Sequence, residues 1–515
     1  MRILANLILI SLCLHSPLYA QLAKSYSLGV HSISSGSLPA SNSTNEIVVS
    51  RDTIWFGTDK GLCFTADNGS SFTSFANTNG FETKGISAIA LNDGIIWVAT
   101  ATSFKQDNQS IPAGGGLYFS TNRGMTWMQI PQPVDAGLVD TLQYGVNRIK
   151  TLAITTTANN LSYDLALTSN AVWSANFAGM LRKSTDRGTT WQRVVLPPDT
   201  LDHISPNDTL DFDLSPSGGK SGLRQNLNHR VFSVAASNDT TLWVGTAGGI
   251  NKSTDGGVSW KKFSHQNQLQ GISGNFVVAI SIQRSASSEI IWAATVNAES
   301  RDERRGVSFS EDGGATWKTT LLGEFTHNIG FKDSIAYVAT DNGIFRSSDR
   351  GVSWTKSGTV NDNASMQRLT SGTFYAVASK GDTVWIAGPD GIAWTLDSPT
   401  TVFGSSWKVL RTYVPVGTSS KTYSYPLPFS PNQEVVRIHY SLQAGRAPVT
   451  IRVFDFAMKP VRTLIQNASR PGGVELDDIW DGTDDNHRRV ANGVYFYKIE
   501  IEGAETLWGK IFVLL

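Results

Sequence analysis

The sequence predicts an all-β protein: a seven-bladed β-propeller followed by a small β-sandwich. Three observations carry this. An eight-residue pattern, Ser/Thr-x-Asp/Asn-x-Gly-x-x-aromatic, recurs between residues 65 and 407. A second pattern, apolar-Trp-apolar-Gly/Ala-Thr, precedes each copy. After residue 425 this grammar stops and a different run of short alternating strands begins.

The chain start is expected to be a signal peptide, residues 1–20. Met1-Arg2 is basic, Ile3 to Leu14 is mostly apolar, and Ser16-Pro17-Leu18-Tyr19-Ala20 ends in a small residue before Gln21. The apolar run is too short to span a bilayer, so no transmembrane segment is expected after cleavage. Cys13 would be lost, leaving Cys63 as the one thiol and no disulfide. Residues 21–44 form a lead-in.

Composition narrows the function. The chain has 515 residues, 43 Lys+Arg and 43 Asp+Glu, and only 17% of residues are charged. A neutral chain lacks the basic face that a nucleic-acid partner requires. With 40% hydrophobic residues and 47 glycines it is globular and turn-rich.

The propeller is read over 45–411. Its boxes are centred on Asp67, Asn122, Asp186, Asp255, Asp312 and Asp349, with an interrupted seventh copy at Asp397. The preceding aromatic falls at Trp55, Trp97, Trp173, Trp243, Trp292, Tyr337 and Trp385. Each unit reads as four strands; in the fourth these are Val231–Ala236, Thr241–Gly245, Gly249–Ser253 and Trp260–Phe263. The box is then the turn from strand three to strand four. Its Gly supplies positive φ, its Asp accepts turn N–H groups, and its closing aromatic packs between neighbouring sheets. A period of about 50 residues without helices fits propeller blades.

These residues resemble the Asp-box, or BNR, repeat of sialidase-like propellers, xyloglucan-active hydrolases and many non-enzymatic secreted propellers. The resemblance speaks for fold more than for function.

The long insertions, 101–114, 131–161, 192–228 and 296–305, fall in loops expected on the face away from the boxes, which makes that face the expected ligand face. Two residue sets are placed there. Asp59, Asp341 and Asp390 follow second strands, each just before a Gly, where a turn alone also calls for Asp. Asn45, Asn228, His229, Asn275, His327 and Asn328 open inner strands and are expected around the channel mouth, where solvation alone also favours polar side chains. Arg301-Asp-Glu-Arg-Arg305 reads as a solvated loop.

The resemblance to sialidases implies three substrate-binding arginines and an Arg-Ile-Pro signature before the first box; Asn45-Glu46-Ile47 stands there instead. Xyloglucan-active relatives use two propellers with a carboxylate across the cleft, which a single ring lacks. No catalytic residue, metal site or cofactor is assigned.

A linker is read over 412–424 and a separate module over 425–515, with strands at Val435–Leu442, Val449–Phe454, Ile479-Trp480, Gly493–Ile501 and Trp508–Leu515. Val449-Thr-Ile-Arg-Val-Phe-Asp455, Trp480-Asp-Gly-Thr-Asp-Asp-Asn486 and Arg489-Val-Ala-Asn-Gly-Val-Tyr-Phe-Tyr497 resemble the Ig-like domain of flagellar hook-cap (FlgD-like) proteins and type IX secretion sorting domains. The resemblance implies an Ig-like β-sandwich that engages export machinery and places the protein at the outer-membrane surface of a bacterium. Asp481, Asp484, Asp485 and Asn486 read as a polar hairpin turn, not a Ca²⁺ loop. The expected function is non-catalytic recognition of a glycan or a surface protein. The alternative is a glycoside hydrolase with a non-standard site.

Overall fold

The computed structural model describes residues 24–27, 34–36 and 38–515, apart from 76–80, 82–83, 107–108, 138–140, 218–225, 286–287, 366, 370, 413–420, 433–434, 443–444 and 474. The signal-like start, 1–20, lies outside the described residues. The chain divides into two compact units, Met1–Tyr413 and Val414–Leu515. No helix among the described residues is long and apolar enough to cross a membrane.

In the first unit, seven antiparallel sheets among the described residues each take four strands from one continuous stretch, in sequence order across the sheet. They begin at Thr44, Gly85, Ser162, Val231, Phe276, Thr326 and Ala376 and are called sheets 1 to 7. The first strand of each packs against that of the next, and sheet 7 packs back on sheet 1. First strands therefore line the centre and fourth strands the rim.

Both sequence patterns have a packing cause. In the second, Thr hydroxyls bond the Gly carbonyl opening strand three, as from Thr58 to Gly61 at 2.7 Å and from Thr340 to Gly343 at 2.9 Å. The Gly/Ala before it admits the next sheet: a Cβ on Gly245 would stand 2.7 Å from Val277. In the box, Ser253 donates to Asp255 at 2.7 Å, Gly257 N–H to Ser253 at 2.9 Å, and Ser259 N–H to Asp255 at 2.9 Å. Gly257 has φ +86°, and a Cβ there would lie 2.6 Å from the Trp173 ring of the preceding sheet. The same apposition joins Trp55 to Gly124, Trp97 to Gly188 and, across the ring closure, Trp385 to Gly69. Box tryptophans then meet the neighbour's strand-two Trp edge to face, as in Trp97–Trp191 and Trp292–Trp354, both with centroids 6.3 Å apart.

Asn122 does the work of Asp by reversing one bond. Its Oδ1 still accepts Thr126 N–H at 2.8 Å, but its Nδ2 donates to the Thr126 hydroxyl instead of accepting from it. Asp397 departs from the expected box. The insertion after it opens the turn, and its carboxylate accepts from Tyr337 and, at 2.6 Å, from Arg346 of sheet 6.

The boxes set an acid limit. Asp67 and Asp349 are held at about 2, first by the Ser71 and Ser353 hydroxyls and then by the same residues' amides. At Asp312 partial burial opposes, but the Thr316 hydroxyl and amide outweigh it, again to about 2. Their stabilising contribution is complete above about pH 4, the unfolded carboxylate range, and is lost as pH falls through about 2. The melting temperature of the first unit is expected to fall steeply between those values. A flat profile there would contradict the box geometry.

Two insertions leave the expected face. The hairpin Thr141–Tyr144 and Asn147–Thr151 runs along the rim of sheet 3, and Tyr144 Oη donates to the Val258 carbonyl in the box turn of sheet 4 at 2.6 Å. The reason is apolar: Tyr144 and Ile149 share a core with Trp173, Leu196, Ile204, Phe212 and Leu214, closing the rim where sheet 3 ends in a strand of two residues. His203–Ile204 adds a fifth strand to sheet 4. Lys24–Ser27 and Ser34–Gly36 of the lead-in do the same for sheets 2 and 1.

The second unit has two antiparallel sheets. One holds Thr422–Tyr425, Val436–Ser441 and Glu475–Trp480; the other holds Arg446–Phe454, Pro460–Pro471, Gly493–Ile501 and Leu507–Val513. Val436, Ile438, Tyr440, Ile451, Val453, Trp480, Tyr497 and Ile511 form their shared core. Residues 422–424, read as linker, belong to the strand Thr422–Tyr425, in which Thr422 and Ser424 are buried. Asp481 and Asp484 accept turn amides, from Thr483 at 3.0 Å and Asn486 at 2.9 Å.

Candidate functional site

Strand direction alternates within each sheet, so first-strand starts and strand two-to-three turns share one end of the ring, opposite the boxes. At this mouth several first strands carry a bulge, as between Thr44 and Glu46 and between Ser162 and Asp164. The bulge turns one side chain toward the mouth and the next toward the neighbouring sheet.

The side chains directed to the neighbour act as bridges. Glu46 faces the Ile89 N–H of sheet 2, and its Oε2 is buried without a hydrogen-bond partner. Asp164 accepts Val234 N–H of sheet 4 at 2.9 Å, and Asn328 accepts Val377 N–H of sheet 7 at 3.2 Å. Burial drives Asp164 up to about 7, against the two amides that favour its charge. Burial also raises Glu46, and the Asp164 charge raises it further. The sequence pattern alone singles out neither carboxylate. Aligning the first strands places both at the same position as Asn328.

The predicted mouth residues divide. Asn45 is exposed and donates to the Ile86 carbonyl at 3.3 Å. Asp59 is exposed at its turn. His327 Nε2 meets Asp341 Oδ1 at 2.8 Å, with the ring between Phe325 and Tyr375. Asn275 joins Glu303, which is 6% exposed and gathers Asn275 N–H, Asn275 Nδ2 and Ala298 N–H; the stretch read as a solvated loop is therefore anchored by a buried acid.

Three predicted residues are not at the surface. Asn228 is fully buried and bonded to the Pro197 carbonyl and to Asn251, Thr246 and Asp199. His229 is equally buried, with ring nitrogens 3.1 Å from the Ser215 and Leu196 carbonyls. Both belong to the 3₁₀ turn Leu227–His229 and hold the 192–228 insertion down. Asp390 is 9% exposed and ion-paired with Arg411.

What the polar reading missed is aromatic. Tyr163, Phe177, Phe232 and Phe276, from sheets 3, 4 and 5, form one half-buried cluster at the mouth. Phe232 lies at its centre, 5.1 Å from Tyr163, 6.1 Å from Phe177 and 4.6 Å from Phe276. The Arg230 guanidinium stands 5.2 Å over Phe177. The signal was an aromatic at the bulge, as in Ser162-Tyr163-Asp164 and Val231-Phe232-Ser233.

No family model matches the chain. In sequence it is similar to Xyloglucanase Xgh74A of Acetivibrio thermocellus, 24% identical over 254 residues; the match covers 42% of this chain and 27% of that protein, so the chain spans about a quarter of its length. Among solved structures, an ancestral GH74 enzyme superposes with a TM-score of 0.50 at 14% identity, covering 92% of this chain and 63% of that one. PorZ, described as an essential bacterial surface component of the type-IX secretion system of Porphyromonas gingivalis, superposes with a TM-score of 0.38 at 15% identity, over 92% of this chain and 66% of that one. The sheet order and the likeness to the GH74 structure make this chain all-β and propeller-type.

Proposed function

We propose that the chain is a secreted or surface-displayed recognition protein. In this reading residues 45–411 are a seven-bladed Asp-box propeller that binds a glycan at its mouth without catalysis. Residues 425–515 are an Ig-like module of the FlgD and sorting-domain kind, which engages export machinery at a bacterial outer surface.

The observation that carries the binding reading is the aromatic cluster around Phe232. Contiguous rings beside a guanidinium suit the apolar faces and hydroxyls of sugars. The sequence match to a xyloglucanase makes xyloglucan oligosaccharides the first ligands to test. Saturable binding is expected, weakened at least about tenfold by Phe232→Ala in protein whose near-ultraviolet circular dichroism is unchanged. A protein ligand would be indicated by failure across a broad glycan array.

The second reading, a glycoside hydrolase with a non-standard site, draws on Glu46 and Asp164, two carboxyls of raised proton affinity near the channel. Release of reducing ends, abolished by Asp164→Asn, would establish it in place of the first. Asp164 already accepts the Val234 and Leu165 amides, which favours the bridging role for it.

A further inference from the structure

We propose that the rim cavity under the 141–151 hairpin is a second binding site, specific for an acidic sugar, a hexuronic acid residue. The cavity measures about 700 Å³, within the usual range for small-molecule sites. It lies between the hairpin and the outer edge of sheet 3, away from the mouth cluster.

Among its described lining residues two cations, Arg193 and Lys183, stand against one carboxylate, with Asp255 and Asp208 near the lining Tyr144. Asp135 is the one carboxylate among the described lining residues, and it is fully engaged. It takes Arg182 at 3.2 Å, Arg193 in a two-point contact, and Ile154 N–H at 2.5 Å. Two guanidiniums thus share one acid. The Arg193 side chain is 7% exposed, and its Nη1 is buried without an acceptor.

Lys183 is the second cation of the lining. Its Nζ stands 4.6 Å over Trp173 and makes one long bond, 3.4 Å, to the Gly256 carbonyl. The corresponding lysine of sheet 4, Lys252, reaches its own carbonyl, Gly313, at 2.8 Å. Lys183 is held more loosely and has no carboxylate partner among the described residues. A ligand here must bring negative charge and acceptors.

The remaining lining says what else it brings. The half-buried indole of Trp191 offers an apolar plane, and the exposed amides of Gln143 and Gln192 offer donors and acceptors for hydroxyls. An inorganic anion has no use for the indole, and a neutral sugar leaves the cations uncompensated. A carboxylate on a pyranose satisfies both.

Calorimetric titration of the full chain with sodium glucuronate, glucose and sodium acetate tests this. Glucuronate is expected to bind saturably, at least about tenfold more tightly than either control, and more weakly as salt rises. Lys183→Gln and Trp191→Phe should each weaken it at least about fivefold. The second is compatible with folding, since Phe72 holds that place in the first box. Phe232→Ala at the mouth should leave it unchanged, which separates this site from the recognition reading above. Glucuronate binding no tighter than acetate or glucose would overturn the proposal. So would a Lys183→Gln protein that melts and binds like the parent.

Discussion

Trp292→Ala is expected to destabilise the first unit by about 3–5 kcal/mol, the range for removing a fully buried large aromatic. Trp292 is completely buried. It stacks on Phe309 with centroids 4.5 Å apart, meets Trp354 edge to face and packs against Phe331. The neighbouring box glycine, Gly351, is seated on its ring. The substitution opens a cavity between sheets 5 and 6 and leaves Gln283 Oε1, now bonded to the indole N–H at 3.0 Å, without its donor. Rigid strands at the seam leave little room to collapse. Denaturant unfolding followed through the first unit's transition measures the loss. A change under about 1 kcal/mol would mean that the seam repacks and that the tryptophan repeat is not what joins the sheets.

The second large effect concerns Asp164 and depends on pH. Folded, it titrates near 7 against 3.8 in an ordinary setting, because burial disfavours its charge. The folded state therefore holds the extra proton in between. Its favourable contribution is complete below about pH 4 and is lost as pH rises through about 7. Asp164→Asn removes that loss and keeps an oxygen for Val234 N–H, as Asn328 does for Val377. It gives up an acceptor for Leu165 N–H, so it should be slightly less stable than the parent at pH 4. Between pH 4 and pH 9 the difference should swing by about 2–4 kcal/mol toward the variant, since each tenfold change in proton affinity on folding is worth roughly 1.4 kcal/mol. Parallel stability profiles would show that Asp164 is solvated in the folded protein.

What the sequence made legible follows the range of each interaction. Box turns are closed within eight residues, so Asp255, Ser253 and Gly257 were readable as a unit, and so was the strand each turn joins. The Trp–Gly apposition links residues roughly 60 to 90 positions apart within the ring, and far more across its closure, yet it repeats with the blade and so left a periodic trace. Asn228, His229 and Asp390 looked like mouth residues because polarity and chain position were the only guides. Their burial depends on an insertion and on Arg411, which no local pattern encodes. Glu46 and Asp164 were missed for the opposite reason: each is turned toward the backbone of the next sheet, where Asp164 bonds Val234 N–H, and a backbone group has no identity in the sequence. The rim cavity was hidden because its walls come from sheet 3, the box turn of sheet 4 and two insertions, which meet through pairs far apart in sequence such as Lys150–Asp213 and Asn147–Asp208.

The closure of the ring has a mechanical meaning. Among the described residues sheets 1 and 7 exchange no strand; each is drawn from its own stretch of chain. The ends are fastened by side chains and short polar contacts. Trp385 lies on Gly69, Lys380 reaches the Asp52 carbonyl at 2.6 Å, and Thr412 bonds Asn42 at 2.7 Å and Pro39 at 3.0 Å. A tether pulled through Thr412 would load its bonds to Asn42 and Pro39 together with the short three-pair ladder of the edge strand Lys408–Leu410. Tension on this end is therefore felt first at the joint and at the outermost strand beside it, like the free end of a split washer.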